Sequence, residues 1–344
     1  MAEKPAGITT GDGTQGSPYE VHSYDEIYWC CTDTSARPTG WTSGTPVYLK
    51  LVNDIDCQDY DVDFTWDISI AHGIDFDLAT HTIKTFYIAA NGHLFTTNIA
   101  NSVISVHDGK ILNVYGQWET GSRAVLRSQT TTGYIQIKNI SFSIDVSKFN
   151  YSMIEVAGNN TTNHKIVNCS FYIQNVHLIT TTKSCLTSGG GITYSCCDFY
   201  IIQQPGTSFT STSNSTSGLD VTASIYTNCR FQGSLLCYTG TQVNYNFLIS
   251  STLRNCVYAV STNIEAGGTA TPGYGQYRIT SKNSTSVYGI YNVDLIHLGD
   301  SITDFKFDNG ERYAACTTFE MDRGENPNAA EVLVNEKHFD VIVG

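Results

Sequence analysis

The chain has 344 residues, of which 41% are hydrophobic and 15% are charged. This composition supports one large hydrophobic core and excludes an intrinsically disordered protein. The formal net charge is −13, no lysine or arginine run occurs, and no apolar run is long enough to span a membrane, so we expect neither nucleic acid nor a membrane among the partners.

The N-terminal region, residues 1–46, is predicted to be a polar lead followed by a capping helix. Residues 1–7 contain no basic stretch followed by an apolar one, so we expect no secretory signal peptide and synthesis in the cytoplasm. Ser23 and Glu26 have the spacing of a capping box, which begins a helix through Trp29. A short helix at this point would cover the open end of a stack of strands.

Residues 47–310 are predicted to form that stack. Apolar and polar residues alternate from Val47 onward, and the pattern is clearest in residues 74–78. Successive side chains of a strand point to opposite faces. Asp75 and Asp77 are therefore expected to point outward, with the apolar side chains between them in the core.

One short phrase recurs in the middle of this region. It consists of an apolar residue, any residue, Asn or Cys, then Cys, any residue and a second apolar residue. Its cysteine position is aligned at steps of 29, 28, 32 and 27 residues, and is occupied in turn by Ile140, Cys169, Cys197, Cys229 and Cys256. A period of this size, combined with strand-like alternation, predicts a solenoid of stacked repeats.

The 11 cysteines include two vicinal pairs and form an odd number, which favours a reduced compartment over a disulfide framework. The four at the repeat position are predicted to form a ladder of buried thiols, because Cys behaves as a small hydrophobe. A metal site is the functional alternative, but no CxxC, CxxH or HExxH spacing occurs. Since nucleotide-binding glycine motifs are also absent, the sequence predicts no metal and no cofactor.

Two segments rich in Ser, Thr and Gly, residues 207–218 and 266–273, are predicted to be loops that leave the stack. Solenoids often carry their binding sites on such loops. Residues 311–344 have a different character, with Pro327 near the start of a short predicted helix and a final predicted strand over residues 339–343. This segment is either a C-terminal cap or a docking element.

The opening of the chain resembles that of right-handed parallel β-helix proteins, and the resemblance covers residues 11–95 by motif and the rest by repeat pattern. Such openings are frequent in bacteriophage virion proteins and bacterial surface proteins. The resemblance implies an all-β fold: a right-handed parallel β-helix with a capping helix at the N-terminus and a small C-terminal cap or docking element. The residues that carry it are Gly11-x-Gly13-Thr14, Ser17-Pro18-Tyr19-x-Val21, residues 51–56 and residues 74–83.

Within that superfamily, a chain with this cysteine usage, no signal peptide and a short C-terminal helix and strand resembles phage head-fibre, capsid-decoration and tail-spike proteins. These are commonly trimeric. We expect no separate N-terminal particle-binding domain of the kind that many tail spikes carry, and this expectation favours the head surface. The resemblance therefore implies a non-enzymatic virion protein: a homotrimer that contacts capsid or other virion proteins and adheres to a host or glycan surface.

Two other functions stay open on the sequence. One is a tail-spike glycan depolymerase, either a glycoside hydrolase or a lyase. The other is a bacterial surface adhesin, although the cysteine usage is typical of an intracellular chain. A lyase would need a basic residue to abstract a proton, and the basic residues are scattered: Arg123, Arg127, Lys138, Lys165, Arg230 and Arg254.

A hydrolase would depend on aspartates two residues apart. Such residues share one face of a strand at about 6.5–7 Å, which is within the range of about 6.5–9.5 Å between the carboxyl groups of an inverting glycosidase. Alternating Asp on the outer face of an amphipathic strand is also what solubility requires, so we expect a structural role, with catalysis as the weaker candidate. The pairs are Asp54 and Asp56, Asp61 and Asp63, and Asp75 and Asp77.

The chain also contains 21 tyrosines. Exposed aromatic side chains stack on sugar rings and anchor protein interfaces. In a solenoid they also stack from one rung to the next, and this packing role is the favoured interpretation.

Overall fold

The computed structural model describes residues 3–60, 64–89, 91–116, 124–145, 153–157, 163–174, 186–202 and 224–237, and short strands at 246–249, 252–254, 257–264, 278–280 and 290–291. The predicted loops at 207–218 and 266–273 lie outside these residues. So do Asp61, Asp63, Cys256 and the C-terminal segment 311–344.

The elements are short and almost all are strands. In the described part of the chain, the helices are α1 (Tyr24–Thr32) and two 3₁₀ turns, Thr34–Ala36 and Cys57–Asp59. The strands are β1 (Tyr19–Val21), β2 (Val47–Leu51), β3 (Ile55–Asp56), β4 (Thr65–Trp66), β5 (Ile74–Asp77), β6 (Thr82–Ile88), β7 (Phe95–Thr97), β8 (Val103–Gly116), β9 (Leu126–Ser128), β10 (Tyr134–Asp145), β11 (Ile154–Val156), β12 (Lys165–Val167), β13 (Ser170–Gln174), β14 (Thr187–Ser188), β15 (Thr193–Ser195), β16 (Asp198–Ile202), β17 (Ile225–Thr227), β18 (Arg230–Cys237), β19 (Asn246–Ile249), β20 (Thr252–Arg254), β21 (Val257–Ile264), β22 (Arg278–Thr280) and β23 (Ile290–Tyr291).

These strands stack into three faces of a parallel β-helix. The first face contains β1, β2, β5, the first halves of β8 and β10, and then β12, β15, β17 and β20. The second face contains β3, β4, β6, the second halves of β8 and β10, and then β13, β16, β18, β21 and β23. The third contains β7, β9, β11 and β14, and β19 pairs separately with β22. The strand pairings are parallel, so the predicted all-β parallel β-helix is confirmed, while its right-handedness stays a prediction.

Alternation decides which side chains enter the core. In β5, Ile74 and Phe76 are fully buried, whereas Asp75 and Asp77 are only partly buried on the outer face. The sequence predicted this arrangement. It holds because a one-residue slip would move the whole apolar set into water.

The recurring Asn of the repeat phrase lies at the turn between the first and second faces. The residues that stack at this turn, which we call the turn column, all adopt the left-handed backbone conformation. Asn and Asp tolerate this conformation better than other non-glycine residues. The side chains also bond along the stack: Asn139 Nδ2 donates to Asp108 Oδ1 at 2.6 Å, and Asn168 Nδ2 donates to Asn139 Oδ1 at 2.8 Å. The column consists of Asp108, Asn139, Asn168, Cys196 and Asn228, with φ between 53° and 59°.

Cys196 interrupts this column, and replacing it with Asn is expected to stabilise the protein. A left-handed residue costs roughly 1–2 kcal/mol unless its side chain compensates locally, so Cys196→Asn should raise the free energy of unfolding by about 1 kcal/mol. Denaturant unfolding under reducing conditions measures this change. Cys196→Ala is the matched control, because it keeps the strained backbone and should give no gain; equal stability of the two variants would contradict the prediction.

The core consists of ladders of like side chains. Consecutive rings in the row Phe142, Phe171, Phe199 and Phe231 stack at centroid distances of 5.3, 5.0 and 4.7 Å, with interplanar angles below 10°. The predicted thiol ladder is confirmed over the described residues, since Cys169, Cys197 and Cys229 are buried. Each Sγ lies 3.3–3.4 Å from the carbonyl oxygen two residues earlier, and burial raises the pKa of the Cys169 thiol.

The N-terminal helix begins as predicted. Ser23 is its N-cap, and Ser23 Oγ accepts a hydrogen bond from the Glu26 amide at 3.4 Å. The Glu26 carboxylate in turn accepts from the His22 amide at 2.6 Å, one residue before the cap. The lead differs from the expectation in one respect: β1 precedes α1 and already pairs with β2, so the stack begins before the helix. Among the described residues, no helix has the length and apolar character needed to cross a membrane.

Candidate functional site

Asp54 and Asp56 each contact a basic side chain of the next rung. Asp54 Oδ1 accepts from the Thr82 amide at 2.9 Å and lies 3.2 Å from His81 Nδ1. Asp56 Oδ2 lies 3.0 Å from Lys84 Nζ. The pair therefore does not face a common space, because each carboxylate is directed at its own partner.

These contacts favour the ionised carboxylates. The hydrogen bond from the Thr82 amide is the main reason why the pKa of Asp54 is lowered. For Asp56, desolvation acts to raise the pKa, but hydrogen bonds from Lys84 and the Gln58 amide outweigh it and the pKa is lowered. A general acid needs the opposite shift, so neither carboxylate is prepared to donate a proton to a leaving group.

The carboxylates of Asp75 and Asp77 both lie near the imidazole ring of His107. β5 pairs with β8 so that Asp77 stands in register with His107. His107 Nε2 lies 2.9 Å from Asp75 Oδ1, and His107 Nδ1 lies 2.8 Å from Asp108 Oδ2 and 3.7 Å from Asp77 Oδ1. We call Asp75, Asp77, His107 and Asp108 the His107 cluster.

Backbone geometry holds the members of this cluster in place. Asp77 Oδ1 accepts from the Ala79 amide at 2.7 Å, at the turn that follows β5. Asp108 occupies the left-handed turn column, where Asn139 binds its other carboxylate oxygen. The ring of His107 is thus fixed between carboxylates that are themselves fixed, and only about a quarter of its side chain is exposed (25%).

The cluster carries one positive charge among three negative ones. The hydrogen bond to Asp75 is the main reason why the pKa of His107 is raised to about 9, against the opposing effect of its burial. Asn139 and His107 together lower the pKa of Asp108. At neutral pH both ring nitrogens of His107 therefore donate to carboxylates, and the arrangement is a stabilising ion cluster rather than a pair of carboxyl groups that share a proton.

The same residues have the donor types that a divalent cation binds. One ligand atom each from Asp77, His107 and Asp108 lies within 4.8 Å of the others. His107 could ligate only through a deprotonated nitrogen. A cation would therefore have to displace the proton that Asp75 and Asp108 hold on the ring, and Asp77 already accepts a hydrogen bond from the Ala79 amide.

Replacing His107 by Gln is expected to remove a pH dependence of stability. The folded-state pKa is about 9 and the unfolded value about 6.5. A raised pKa stabilises the folded state fully below pH 6.5, and this stabilisation is lost as the pH rises through 9. Because the ring is partly exposed, we expect a loss of about 1–2 kcal/mol between these pH values.

The measurement is the difference in unfolding free energy between wild type and His107→Gln across this pH range. The difference is needed because buried thiols ionise on unfolding and also weaken the wild type in alkali. A pH-independent difference would show that His107 is not charged in the folded protein.

The basic residues do not assemble a lyase site in the described part of the chain. Arg127 Nε lies 3.0 Å from Glu155 Oε2, with both side chains largely buried. Lys138 stands in register with His107, one rung beyond the cluster. Arg123 lies outside the described residues.

Sequence reasoning identified Asp75 and Asp77 but missed His107 and Asp108. A signal was available: Ile104–Val106 repeats the alternation of Ile74–Phe76, and aligning the two strands places the next residue, His107, opposite Asp77. The neighbouring Asp108 stands at the Asn position of the later repeats. Both residues follow from extending the repeat toward the N-terminus.

Comparisons with known proteins give no family for this chain. No family model matches the sequence, and no curated protein matches it. A solved structure from Bacteroides ovatus, assigned as a candidate immunoglobulin A1 protease, aligns with 90% of this chain and 95% of its own, at 15% identity and a TM-score of 0.43. A likeness of this size carries no inference about activity.

Proposed function

We propose that this chain is a non-enzymatic structural protein of a bacteriophage particle, a head fibre or decoration protein that projects from the capsid and adheres to a host or glycan surface. The observation that carries the non-enzymatic part is the state of the outer carboxylates. Asp54, Asp56 and Asp75 each lie within 3.2 Å of a cationic or imidazole nitrogen. Such groups stabilise a surface, and they are not available as a general acid and base.

The architecture supports a structural role. Stacked repeats contact only their neighbours, so a rod of this kind separates its two ends and presents long lateral faces. On the outer surface of the first face, residues in register on neighbouring strands have opposite charges. Glu20 is in register with Lys50, Lys50 with Asp77, and Asp77 with His107. Opposite charges on neighbouring strands stabilise the sheet.

The phage assignment follows from the resemblance of residues 11–95 to β-helix virion proteins, and it is tested on particles. Quantitative mass spectrometry of purified virions should find this chain in a ratio to the major capsid protein comparable with the number of capsomers. A handful of copies for each particle would place it at the tail instead. Absence from particles would refute the proposal.

The homotrimer belongs to the same proposal. Analytical ultracentrifugation of the purified full-length chain should give the mass of three copies, each 37.7 kDa. A monomer at all concentrations would remove the trimer from the proposal while leaving the particle measurement decisive for location.

A glycan depolymerase is the second candidate, because the His107 cluster brings three carboxylates together. Incubation with the host surface polysaccharide, followed by analysis of fragment size, tests it. Asp75→Asn and Asp77→Asn should abolish any depolymerisation that the cluster performs, and Asp54→Asn is the matched control on a different rung. Cleavage that depends on Asp75 or Asp77 would replace the structural proposal.

A further inference from the structure

Four aromatic rings in contact with one another join α1 to the chain around β4, near the N-terminal end of the stack. Tyr24 and Tyr28 are four residues apart on α1 and therefore share one side of the helix, with ring centroids 5.8 Å apart. The ring of Phe64 lies 4.9 Å from that of Tyr24 and 4.6 Å from that of Tyr60. We call Tyr24, Tyr28, Tyr60 and Phe64 the aromatic patch.

The aromatic patch reaches the surface of the protein. Tyr28 is 45% exposed, and the other three side chains are partly buried where they pack against the core. Among the described residues, the other large hydrophobic side chains with comparable exposure are Tyr87 and Tyr172, which lie on the second face. Exposed aromatic side chains that lie together, with a polar rim, mark interaction sites.

Hydrogen bonds and packing hold the rings of the patch in place. The Tyr60 hydroxyl accepts a hydrogen bond from the Tyr24 amide at 3.0 Å, at the first residue of α1. The Tyr24 hydroxyl donates to the Asp67 carbonyl oxygen at 3.3 Å. The fully buried ring of Trp66 contacts Tyr24 edge to face at 4.8 Å. Because the rings are fixed before any partner binds, little conformational entropy is lost on binding.

Three exposed carboxylates lie next to the patch in the chain. Asp25 follows Tyr24, Asp59 precedes Tyr60, and Asp67 follows Trp66. No basic side chain of the described residues forms an ion pair with any of the three. Lys84, on which the charge of Asp59 acts, has its Nζ 3.0 Å from Asp56 Oδ2. The rim of the patch is therefore acidic.

The charges of this rim act on the tyrosine hydroxyl groups. Burial raises the pKa of Tyr24 to about 12, and the charges of Asp67 and Asp25 add to the rise. Burial also raises the pKa of Tyr60, and Asp25 and Glu26 contribute in the same direction. Asp25 thus lies within electrostatic reach of both rings. The potential at the patch is negative and attracts cations.

We infer that the aromatic patch is a docking surface for a basic peptide segment of a partner protein, whose arginine side chains stack on the rings and pair with Asp25, Asp59 and Asp67. The negative face of an aromatic ring attracts a guanidinium group, and the planar guanidinium stacks on tyrosine better than a lysine ammonium does. The same group donates two hydrogen bonds to a carboxylate. The inference goes beyond the proposed function, because it requires no phage particle.

A bare metal ion does not fit these carboxylates. In the described part of the chain, the donor atoms close enough together for a metal belong to Asp77, His107 and Asp108. The rim carboxylates do not converge in that way, so a ligand has to bring separate positive charges to them. An extended peptide does so, since its alternate side chains point to one face about 6.5–7 Å apart.

The experiment measures binding of a fluorescein-labelled hexapeptide of alternating arginine and serine to the full chain by fluorescence anisotropy. We expect saturable binding with one peptide for each chain. Tyr28→Ala should weaken it about two- to fivefold, the range of an exposed cation–π contact, while Tyr28→Phe retains the ring and the affinity. Tyr172→Ala is the matched control, because it removes a similarly exposed tyrosine from β13 and should leave the affinity unchanged.

The charges are tested separately from the rings. Asp25→Asn and Asp67→Asn should each weaken binding up to about fivefold, and less at high salt, because the pairs are exposed. Asp67→Asn retains an oxygen for the His93 amide, which now binds Asp67 Oδ1 at 3.0 Å. Asp198→Asn makes the same change of charge on β16, several rungs away, and should leave the affinity unchanged.

Two kinds of result would overturn the inference. The first is an equal loss of affinity in Tyr28→Ala and Tyr172→Ala, or in Asp25→Asn and Asp198→Asn, which would show diffuse attraction to a chain with a formal charge of −13. The second is absence of binding, or binding of spermine or of the matching lysine peptide as tight as that of the arginine peptide. Spermine would indicate a polyamine site, and equal binding of the lysine peptide would exclude guanidinium stacking.

The outcome is separable from that of the proposed function. If the chain is abundant in virions but binds no basic peptide, the docking surface is wrong and the structural role stands. If the peptide binds at the aromatic patch but the chain is absent from particles, the phage assignment fails and the docking surface stands.

Discussion

Replacing Phe199 by Ala is expected to lower the free energy of unfolding by about 3–5 kcal/mol. The side chain is fully buried and stacks between Phe171 and Phe231 at 5.0 and 4.7 Å. Tyr194 and Tyr226 contact it edge to face at 5.5 and 5.8 Å. Truncation leaves a cavity that the neighbouring rungs cannot close, because the backbone hydrogen bonds of the stack fix the rung spacing.

Denaturant titration monitored by circular dichroism measures this loss. Phe199→Leu is the matched control, because it keeps much of the apolar volume and should cost less than about 1.5 kcal/mol. Hydrogen exchange should show that the loss is greatest for the amides of β13, β16 and β18, since a repeat contacts only its neighbours. Equal stability of the Ala and Leu variants would contradict the ladder as a source of stability.

Acidification is expected to destabilise the protein through His164. This side chain is fully buried, and its Nδ1 accepts a hydrogen bond from the Ile135 amide at 3.2 Å. Its Nε2 has no hydrogen-bond partner among the described residues. Burial lowers the pKa of His164 to about 4, because protonation would place a charge in the core and break the bond from Ile135.

The direction of the pH effect follows from the two pKa values. The unfolded chain takes up a proton on this histidine at about pH 6.5, and the folded protein does so only near pH 4. Stability is therefore full above pH 6.5 and falls as the pH decreases toward 4, by about 3 kcal/mol for a shift of this size.

His164→Gln tests the assignment, because glutamine can accept from the Ile135 amide without titrating. The variant should lose little stability between pH 6.5 and 4, apart from the contribution of other groups. His72 is one such group, since burial also lowers its pKa. His22→Gln, at an exposed position, is the control that should leave the acid response of the wild type intact. An acid response in His164→Gln equal to that of the wild type would refute the assignment.

Several structural features were predictable because they depend on local pattern. The alternation in β5 placed Asp75 and Asp77 outside, and the structure agrees. The repeat spacing placed Cys169, Cys197 and Cys229 on one inward column, and all three are buried. These predictions required only the period of a strand and the cost of exposing apolar side chains.

The candidate site was predictable only in part. Asp54 and Asp56 looked like a pair because they lie two residues apart, but they bind different partners, His81 and Lys84. The contacts of a solenoid run between rungs, so a side chain about 30 residues away decides what each carboxylate does. Spacing within a strand carries no information about that partner.

The sequence by itself determined the fold class, the inward and outward sides of the strands, and the helix start at Ser23, because these depend on residues within a few positions of one another. Only the tertiary structure decided that His107 lies among three carboxylates, that Ser143 lies beside Tyr172 and that Asp145 lies beside Tyr115. The reason is register. The number of residues between rungs varies from repeat to repeat, and a bulge in β8 shifts the alignment, so the neighbour of each outer side chain is set by strand pairing across the stack rather than by distance along the chain.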